Sequence, residues 1–473
     1  MGPPTFPDAT FEVIDQTLES AQSCFIEFSK KKGEQRAGFL RRIAENLATH
    51  RQSVIAMAEQ ETSLGIERLE GECSRTIDQI RLFAVLAEKE EWKENSCEEG
   101  EPNREPNAKP EMQKENHPVG TVVVIGACNF PLAISVVGTD TTSALAVGCP
   151  VVVKSHPRHA RTCQLLGELV NMAKKESNMP EGCFTLLHGE SHGVSRALVS
   201  HPKTACVAFT GSLQGGKALS KVAKSRTKPI PFHAEMGSLN PVFALPFALR
   251  EKGEKLIGSY IDAVNLFCGQ MCTKPGALII LEESFDQKFK ESLQAYVSGK
   301  ETLPMLNQDV FQNYEKTSQH LAQYLDMIAQ SEISSANGSG RIRIFKVAAK
   351  DFLAVSELKA EAFGPASILI IARDFPEMLA VARSLEGSLT GSMLAADNDR
   401  IYASTLLPIL ESKVGRILWN GFPPGVVPGL ATHHGGPWPA TTDPRYTSIG
   451  IKGYQRFVRP VCKQGFAGLG GMS

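Results

Sequence analysis

The spacing of apolar side chains divides this chain into two kinds of sequence. Across residues 15–92 they recur every three or four positions. Leu40, Ile43, Ala44 and Leu47 make one stripe; Ile77, Ile80, Phe83 and Ala84 make another. That period is helical, so helices are expected through 15–92. From Lys93 to His117 (KENSCEEGEPNREPNAKPEMQKENH) apolar residues almost vanish, and three prolines and many charges take their place. Such a segment cannot bury enough surface to form its own core. It is expected to be a linker, or an arm that lies on another surface.

After this segment the pattern changes again. TVVVIGA (121–127), VVVK (151–154), CFTLLHG (183–189) and ACVAFTG (205–211) are short apolar runs that read as buried strands. Helices are expected between and after them at 132–147 (interrupted by Gly138), 160–176, 192–200 and 214–224. Strands separated by single helices imply right-handed crossovers and a parallel sheet covered on both faces. This α/β pattern is a doubly wound, nucleotide-binding architecture. Beyond Glu235 a second α/β unit is expected, with helices at 254–267, 284–297 and 375–385 and strands at 277–281 and 366–372. SANGSG (335–340) reads as an exposed loop, and GFAGLGGMS (465–473) as a mobile tail.

Composition narrows the function classes. A chain of 473 residues suits two or three domains. Its formal net charge of −1 offers no global field to recruit nucleic acid or an anionic membrane. No apolar run approaches the ~20 residues that span a bilayer. The start, MGPPTFPDATFEVID, lacks a basic region followed by an apolar one, and Phe6 stands where a myristoylation signal wants Ser or Thr. The expected location is cytoplasmic. The 11 cysteines include no Cys-x-x-Cys pair, and Cys268 and Cys272 have no second pair or nearby His to complete a zinc site. No metal is expected. Cys149, Cys183 and Cys206 read as small buried hydrophobes in a reducing compartment.

Five places carry candidate chemistry, and each has a plainer reading when taken singly. Cys272, in FCGQMCTKPG, lies near a helix end, where a thiolate gains reactivity; it is otherwise one more buried thiol. Glu235, in PFHAEMGS, ends a strand, and an acid in apolar surroundings needs solvent or a partner; a capping carboxylate would look the same. Asn129, in GACNFP, follows the first strand at the ligand-binding edge of a parallel sheet and can donate to an oxyanion; turn chemistry also explains it. FTGSLQGG (209–216) brings backbone N–H groups near a helix start, where phosphate binds; a simple Gly-rich turn does so too. Lys154 ends the second strand within reach of a ribose or phosphate, or else snorkels to the surface.

Together and in this order, GACNFPLA, VVVK, AFTGS, AEMGS, GQMCT, EAFGP and WNGFP resemble the aldehyde dehydrogenase superfamily. The resemblance runs from about Gln35 onward. CPVVVKSHPRH, EMGSLNPVF, NGFPPGV, HHGGPWPATTD and RFVRPVC resemble its α-ketoglutarate semialdehyde (2,5-dioxopentanoate) dehydrogenases, a subgroup similar in turn to the fatty-aldehyde dehydrogenase of luminous bacteria. The resemblance implies a Rossmann-type cofactor domain (1–98 and 118–236), an α/β catalytic domain (237–445), and an oligomerisation arm and tail (99–117 and 446–473) that pair across subunits of a dimer or tetramer. It implies Cys272 as nucleophile, Glu235 as general base and Asn129, with the backbone N–H of Cys272, as oxyanion hole. Lys154 is implied at a cofactor ribose, Gly211, Ser212 and Gly216 at the pyrophosphate, Glu361 at the nicotinamide ribose and Phe363 beside the nicotinamide. Two positions depart from the superfamily. Pro157 replaces a Glu that binds the adenosine ribose of NAD, which favours NADP or tolerance of it. Ser238 replaces a glycine in AEMGS.

Two substrate classes compete. A dicarboxylic semialdehyde needs a cation for its far carboxylate, and Arg75 and Arg81 on GECSRTIDQIRLFA are candidates. A long-chain aldehyde needs an apolar tunnel, and Ala133, Ile134 and Val137, on one helical face, are candidates. Outside this chemistry stand a thiol esterase and a catalytically silent structural protein on the same scaffold.

Overall fold

The computed structural model describes residues 6–332, 338–423 and 425–466. The loop expected at 335–340 and the Gly-rich tail therefore lie partly outside the described residues. Four helices open the chain: α1 (Phe11–Ser29), α2 (Gly33–Thr49), α3 (Arg51–Thr62) and α4 (Ile66–Lys89). The stripes predicted from the sequence are their buried faces. Leu40, Ile43, Phe83 and Ala84 join one core with Val122, Val151 and Cys206.

The charged arm is not a loose linker. β1 (Ser96–Glu98) and β2 (Met112–Pro118) pair antiparallel. Then come β3 (Val122–Ile125), α5 (Thr139–Val147), β4 (Val151–Lys154), α6 (Ala160–Glu176), β5 (Phe184–Leu187), α7 (His192–Ser200), β6 (Cys206–Thr210), α8 (Leu213–Lys224) and β7 (Phe232–Glu235). These five strands form a parallel sheet in the order β5-β4-β3-β6-β7. With both faces covered, every side chain of β3 and β4 is buried, which is why they read as unbroken apolar runs. The register sets Ile125 beside Lys154 and Phe209, and Thr210 beside Glu235. One edge of the sheet thus presents Lys154, Thr210, Glu235 and the turn that leads to Asn129. The chain order reverses at β3, and ligands bind such sheets at that point, beyond the carboxyl ends.

The helix expected at 132–147 begins only at Thr139, because Gly138 stands outside it in extended conformation. A Cβ on Gly138 would lie 2.4 Å from the Ala133 carbonyl. Ala133, Ile134 and Val137 therefore occupy a turn and share no helical face.

The second unit comprises β8 (Pro241–Ala244), α9 (Pro246–Asn265), β9 (Ala277–Leu281), α10 (Gln287–Ser298), α11 (Gln308–Leu321), β10 (Asp326–Gln330), β11 (Arg343–Ala348), α12 (Ala349–Ala354), β12 (Ala366–Ala372), α13 (Phe375–Ser384), β13 (Ser388–Leu394), α14 (Arg400–Glu411) and β14 (Val414–Trp419). Its sheet runs β10-β11-β12-β9-β8-β13-β14, parallel except for β10 against β11. Finally β15 (Val458–Gln464) returns to pair with β2, from Val458 opposite Pro118 to Gln464 opposite Met112. Arm and tail thus make one three-stranded sheet within the chain.

Candidate active site

The loops that matter run between the two larger sheets. Residues 236–240 leave the carboxyl end of β7 and enter β8 at its amino end. Residues 266–276 leave α9 and enter β9 likewise, and 361–365 enter β12. Three chain segments far apart in sequence therefore converge on one cleft.

The segment bearing Cys272 is held in an uncommon shape. Phe267, Cys268 and Gly269 are successive residues with φ of 53°, 55° and 64°. A Cβ on Gly269 would lie 2.3 Å from the backbone of Gly364, so only glycine lets this turn meet EAFGP. Strained backbone persists where surrounding contacts over-determine it: the Gln270 side chain donates to the Phe267 carbonyl (3.1 Å) and accepts from Leu306 N (2.9 Å), and Asn240 fixes the residues that follow. Its Nδ2 donates to the carbonyls of Cys272 (2.8 Å) and Lys274 (3.0 Å). Its Oδ1 accepts from Thr390 N (3.1 Å), Thr390 Oγ1 (2.9 Å) and Ser238 Oγ (2.8 Å). Asn240 is fully buried, so Asn240→Ala strands several polar groups at about 1–3 kcal/mol each. The variant is expected to lose about 3 kcal/mol or more of stability, read as a lowered denaturant midpoint.

Cys272 itself is half-buried. Its Sγ lies 3.6 Å from Nε2 of His434, and the other ring nitrogen, Nδ1, meets the Glu235 carboxylate. Sequence reasoning placed Glu235 beside the chemistry but did not single out His434. The backbone explains the arrangement. Met236 N donates to the Ala440 carbonyl (2.8 Å), and Thr441 bridges Glu235 across the edge of β7. This lays residues 440–442 along that strand and brings the preceding HHGG opposite Glu235. The two glycines permit the crossing: a Cβ on Gly436 would lie 2.3 Å from the Ser388 carbonyl. His434 N then donates to Thr447 Oγ1 at 2.8 Å. Burial pulls the His434 imidazole down, but Glu235 and Cys272 on either side outweigh it and push it up to about 10. A positive charge therefore sits between a carboxylate and a sulfur at neutral pH.

Asn129 closes the other side. Its Nδ2 donates to the Gln270 carbonyl at 3.1 Å, two residues before the thiol. The apolar wall beside it consists of Phe130, Ala133 and Met271, with Ile134 and Phe267 packed against them. Ala133 and Ile134 also line a small cavity that reaches Glu235. Val137 does not belong to this wall; it is buried in the core beneath α4 and β3. Arg75 stacks its guanidinium 5.1 Å from the centre of the Phe130 ring. Arg81 faces solvent, 57% exposed, 3.7 Å from Asp78, and takes no part. About two turns before Arg75 on the same helix α4, and on the same face, Arg68 reaches the cleft: it covers both Phe130 and Phe267 and donates to the Asn129 carbonyl.

The remaining candidates come from the end of β4, the turn between β6 and α8, and the loop before β12. Ser212 caps α8, its Oγ accepting from Gly215 N at 3.2 Å, and a Cβ on Gly216 would lie 2.3 Å from Met236 Sδ. A Cβ on Gly211 would lie 2.7 Å from the Phe209 ring. Lys154 is buried, and burial holds its amine below the ordinary lysine range. Glu361 is half-buried as a residue, but its Oε1 is sealed from solvent and has no hydrogen-bond partner among the described residues. Burial pushes its carboxyl up to about 7, against the pull of Lys274, whose Nζ is anchored on the Ala366 carbonyl at 2.7 Å. Phe363 packs beside the helical core.

Comparison with known proteins agrees with this geometry. The aldehyde dehydrogenase family matches residues 4–436. An α-ketoglutaric semialdehyde dehydrogenase of Azospirillum brasilense is 38% identical over 98% of this chain and 89% of its own length. One from Acinetobacter baylyi is 39% identical over 97% and 88%. Among solved structures, betaine aldehyde dehydrogenase of Staphylococcus aureus, in complex with NAD+, superposes with a TM-score of 0.81 at 19% identity, over 97% of this chain and 89% of that one.

Proposed function

This chain belongs to the aldehyde dehydrogenase family, and we propose that it oxidises α-ketoglutarate semialdehyde (2,5-dioxopentanoate) to the dicarboxylate, with NADP or NAD as electron acceptor. The observation that carries the chemistry is the line Cys272–His434–Glu235 with Asn129 beside it. The two relatives of matching name support the substrate.

The cofactor residues fit a dinucleotide. Glu361 Oε1 is an orphaned buried acceptor suited to a ribose hydroxyl. The capped start of α8, with Gly211, Ser212 and Gly216, suits a pyrophosphate. Lys154 suits the other ribose, and Phe363 the nicotinamide. Pro157 leaves no carboxylate at the position that would repel a 2′-phosphate, which favours NADP. When bound, the oxidised nicotinamide takes the hydride that converts a thiohemiacetal to a thioester.

The protein's own part follows from its geometry. The His434 cation offers the charge that a thiolate at Cys272 needs, and the thiolate adds to the aldehyde carbon. The Asn129 amide and the Cys272 backbone N–H receive the oxyanion. Once the sulfur is acylated, its negative charge is gone and His434 releases its proton to solvent. Neutral imidazole then takes a proton from water as the water attacks the thioester, with Glu235 orienting the ring and balancing its charge. Collapse expels the Cys272 thiolate beside the restored imidazolium. In this reading Glu235 acts through His434, whereas the family resemblance implies it as the base itself.

Asn129→Ala is expected to lower kcat by roughly 10²–10³-fold with little change in KM, the signature of a lost oxyanion donor. Steady-state rates for 2,5-dioxopentanoate against a long-chain aldehyde, with each nicotinamide, test the substrate reading; faster turnover of the long-chain aldehyde would overturn it. The reading also includes a homo-oligomer, supported by the open outer edge of β15, which light scattering in solution tests. It includes a cytoplasmic site of action, supported by eleven free thiols. No described helix is long and apolar enough to cross a membrane.

A further inference from the structure

Arg68 stands out among the charged groups near the cleft. Nε and Nη1 of its guanidinium are sealed from solvent and have no hydrogen-bond partner among the described residues. Only Nη2 is engaged, by the carbonyl of Asn129. Its carbon centre lies 4.2 Å from the middle of the Phe267 ring and 5.0 Å from that of Phe130. Both rings belong to the wall that also contains Met271, the residue before the nucleophile. A buried donor without a partner is costly, and a buried cation without an anion costs more. Burial pulls Arg68 down to about 10, with Glu72 opposing, so it is still a cation at neutral pH.

The nearest acid does not neutralise it. Glu72, one turn along α4, spends Oε1 on the backbone N–H groups of Leu132 (2.8 Å) and Ala133 (2.9 Å). Burial raises its carboxyl, and no ion pair joins it to Arg68. Helix α4 thus grips the Asn129 turn from both sides, Glu72 by its N–H groups and Arg68 by a carbonyl, and leaves one guanidinium short of an anion beside the thiol.

We propose that Arg68 is the seat of the substrate's far carboxylate, and that it, rather than Arg75 or Arg81, makes the enzyme select dicarboxylic semialdehydes over uncharged ones. This rests on the substrate reading given above. A guanidinium has five N–H groups, of which Asn129 takes one; an adjacent pair remains to hold a carboxylate in a fork. For the carboxylate to reach Nε or Nη1, the rings of Phe130 and Phe267 must part. They then cover the aliphatic chain between carboxylate and aldehyde. Arg75, 5.1 Å from the centre of the Phe130 ring, adds long-range attraction but no anchoring fork.

The test is a ratio. For the wild type, kcat/KM is measured with 2,5-dioxopentanoate and with pentanal, and for Arg68→Met and Arg75→Met the same pair is repeated. Arg68→Met is expected to lower the ratio roughly 10²-fold, and Arg75→Met by less than about tenfold. Whatever both substrates lose together reports the Asn129 turn; only the ratio reports the carboxylate. Glutarate binding to the cofactor-free enzyme, by calorimetry, supplies a readout independent of turnover and is expected to weaken in step. If Arg68→Met does not fold, Arg68→Lys, which keeps the charge and loses the fork, is expected to lower the ratio by about tenfold. A wild type indifferent to the carboxylate would sink the substrate reading itself. A wild type that prefers it, with an unchanged ratio and unchanged glutarate affinity in the Arg68 variants, would overturn the assignment to Arg68 alone.

Discussion

Cys272→Ala is expected to abolish aldehyde oxidation, lowering kcat by about 10⁴-fold or more while the protein folds and still binds nicotinamide dinucleotide. The expectation follows from position. Cys272 is half-buried, at the mouth of a rigid turn, with an imidazole 3.6 Å away. Burial pushes Cys128 and Cys268 up to about 11 and Cys149 to about 12, so those thiols stay inert at neutral pH. None of them has a charged pair such as His434–Glu235 beside it and an Asn129 amide opposite. Cys163 does contact His159 at 3.2 Å, but both are wholly buried, far from access to a substrate. Residual oxidation in the Cys272 variant above about 1% of wild type would mean that another group attacks the carbonyl.

His434→Asn carries the next largest effect, a fall in kcat of roughly 10³-fold. General acid–base catalysis contributes about 10²–10⁴-fold, and here one ring serves both the attack and the hydrolysis. Glu235→Gln, which keeps the ring in place but removes the balancing charge, is expected to cost about 10²-fold. The pair also predicts a pH dependence of stability. His434 is pushed from an ordinary 6.5 up to about 10 in the folded protein. A raised pKa means that the folded state holds the proton more tightly, so its contribution is complete below about 6.5 and fades as pH rises toward 10. The gap in melting temperature between wild type and His434→Asn is therefore expected to narrow over that window. A gap that widened with rising pH would contradict a charged His434.

Much of this site is legible in the sequence. Parallel strands buried on both faces announce themselves as runs such as VVVI and VVVK, and a residue just after such a run lands in the ligand crevice. That placed Asn129, Lys154 and the 209–216 turn. What escaped has definite causes. β13 (SLTGSML) is wholly buried, yet it carries Ser388, Thr390 and Ser392. Thr390 is buried because Asn240, 150 residues away, accepts its hydroxyl, and no local pattern encodes that. His434 meets Glu235 across 199 residues only because residues 440–442 lie along β7. Arg68 is different, since its signal was available. At about 100° per residue, Arg68 and Arg75 differ by 700°, nearly whole turns, whereas Arg81 is displaced from Arg75 by 600°, toward the opposite face. Helical arithmetic alone separates the arginine that reaches solvent from the two that reach Phe130.

In the proposed mechanism the Cys272 sulfur carries the acyl group, and its formation is tied to nicotinamide reduction. Acid-quenched turnover followed by peptide mass spectrometry tests this directly. With 2,5-dioxopentanoate and oxidised nicotinamide dinucleotide, the peptide containing Cys272 is expected to gain the acyl mass in step with the appearance of reduced nicotinamide. Acylation at another residue, or acylation of Cys272 without any nicotinamide reduction, would contradict it.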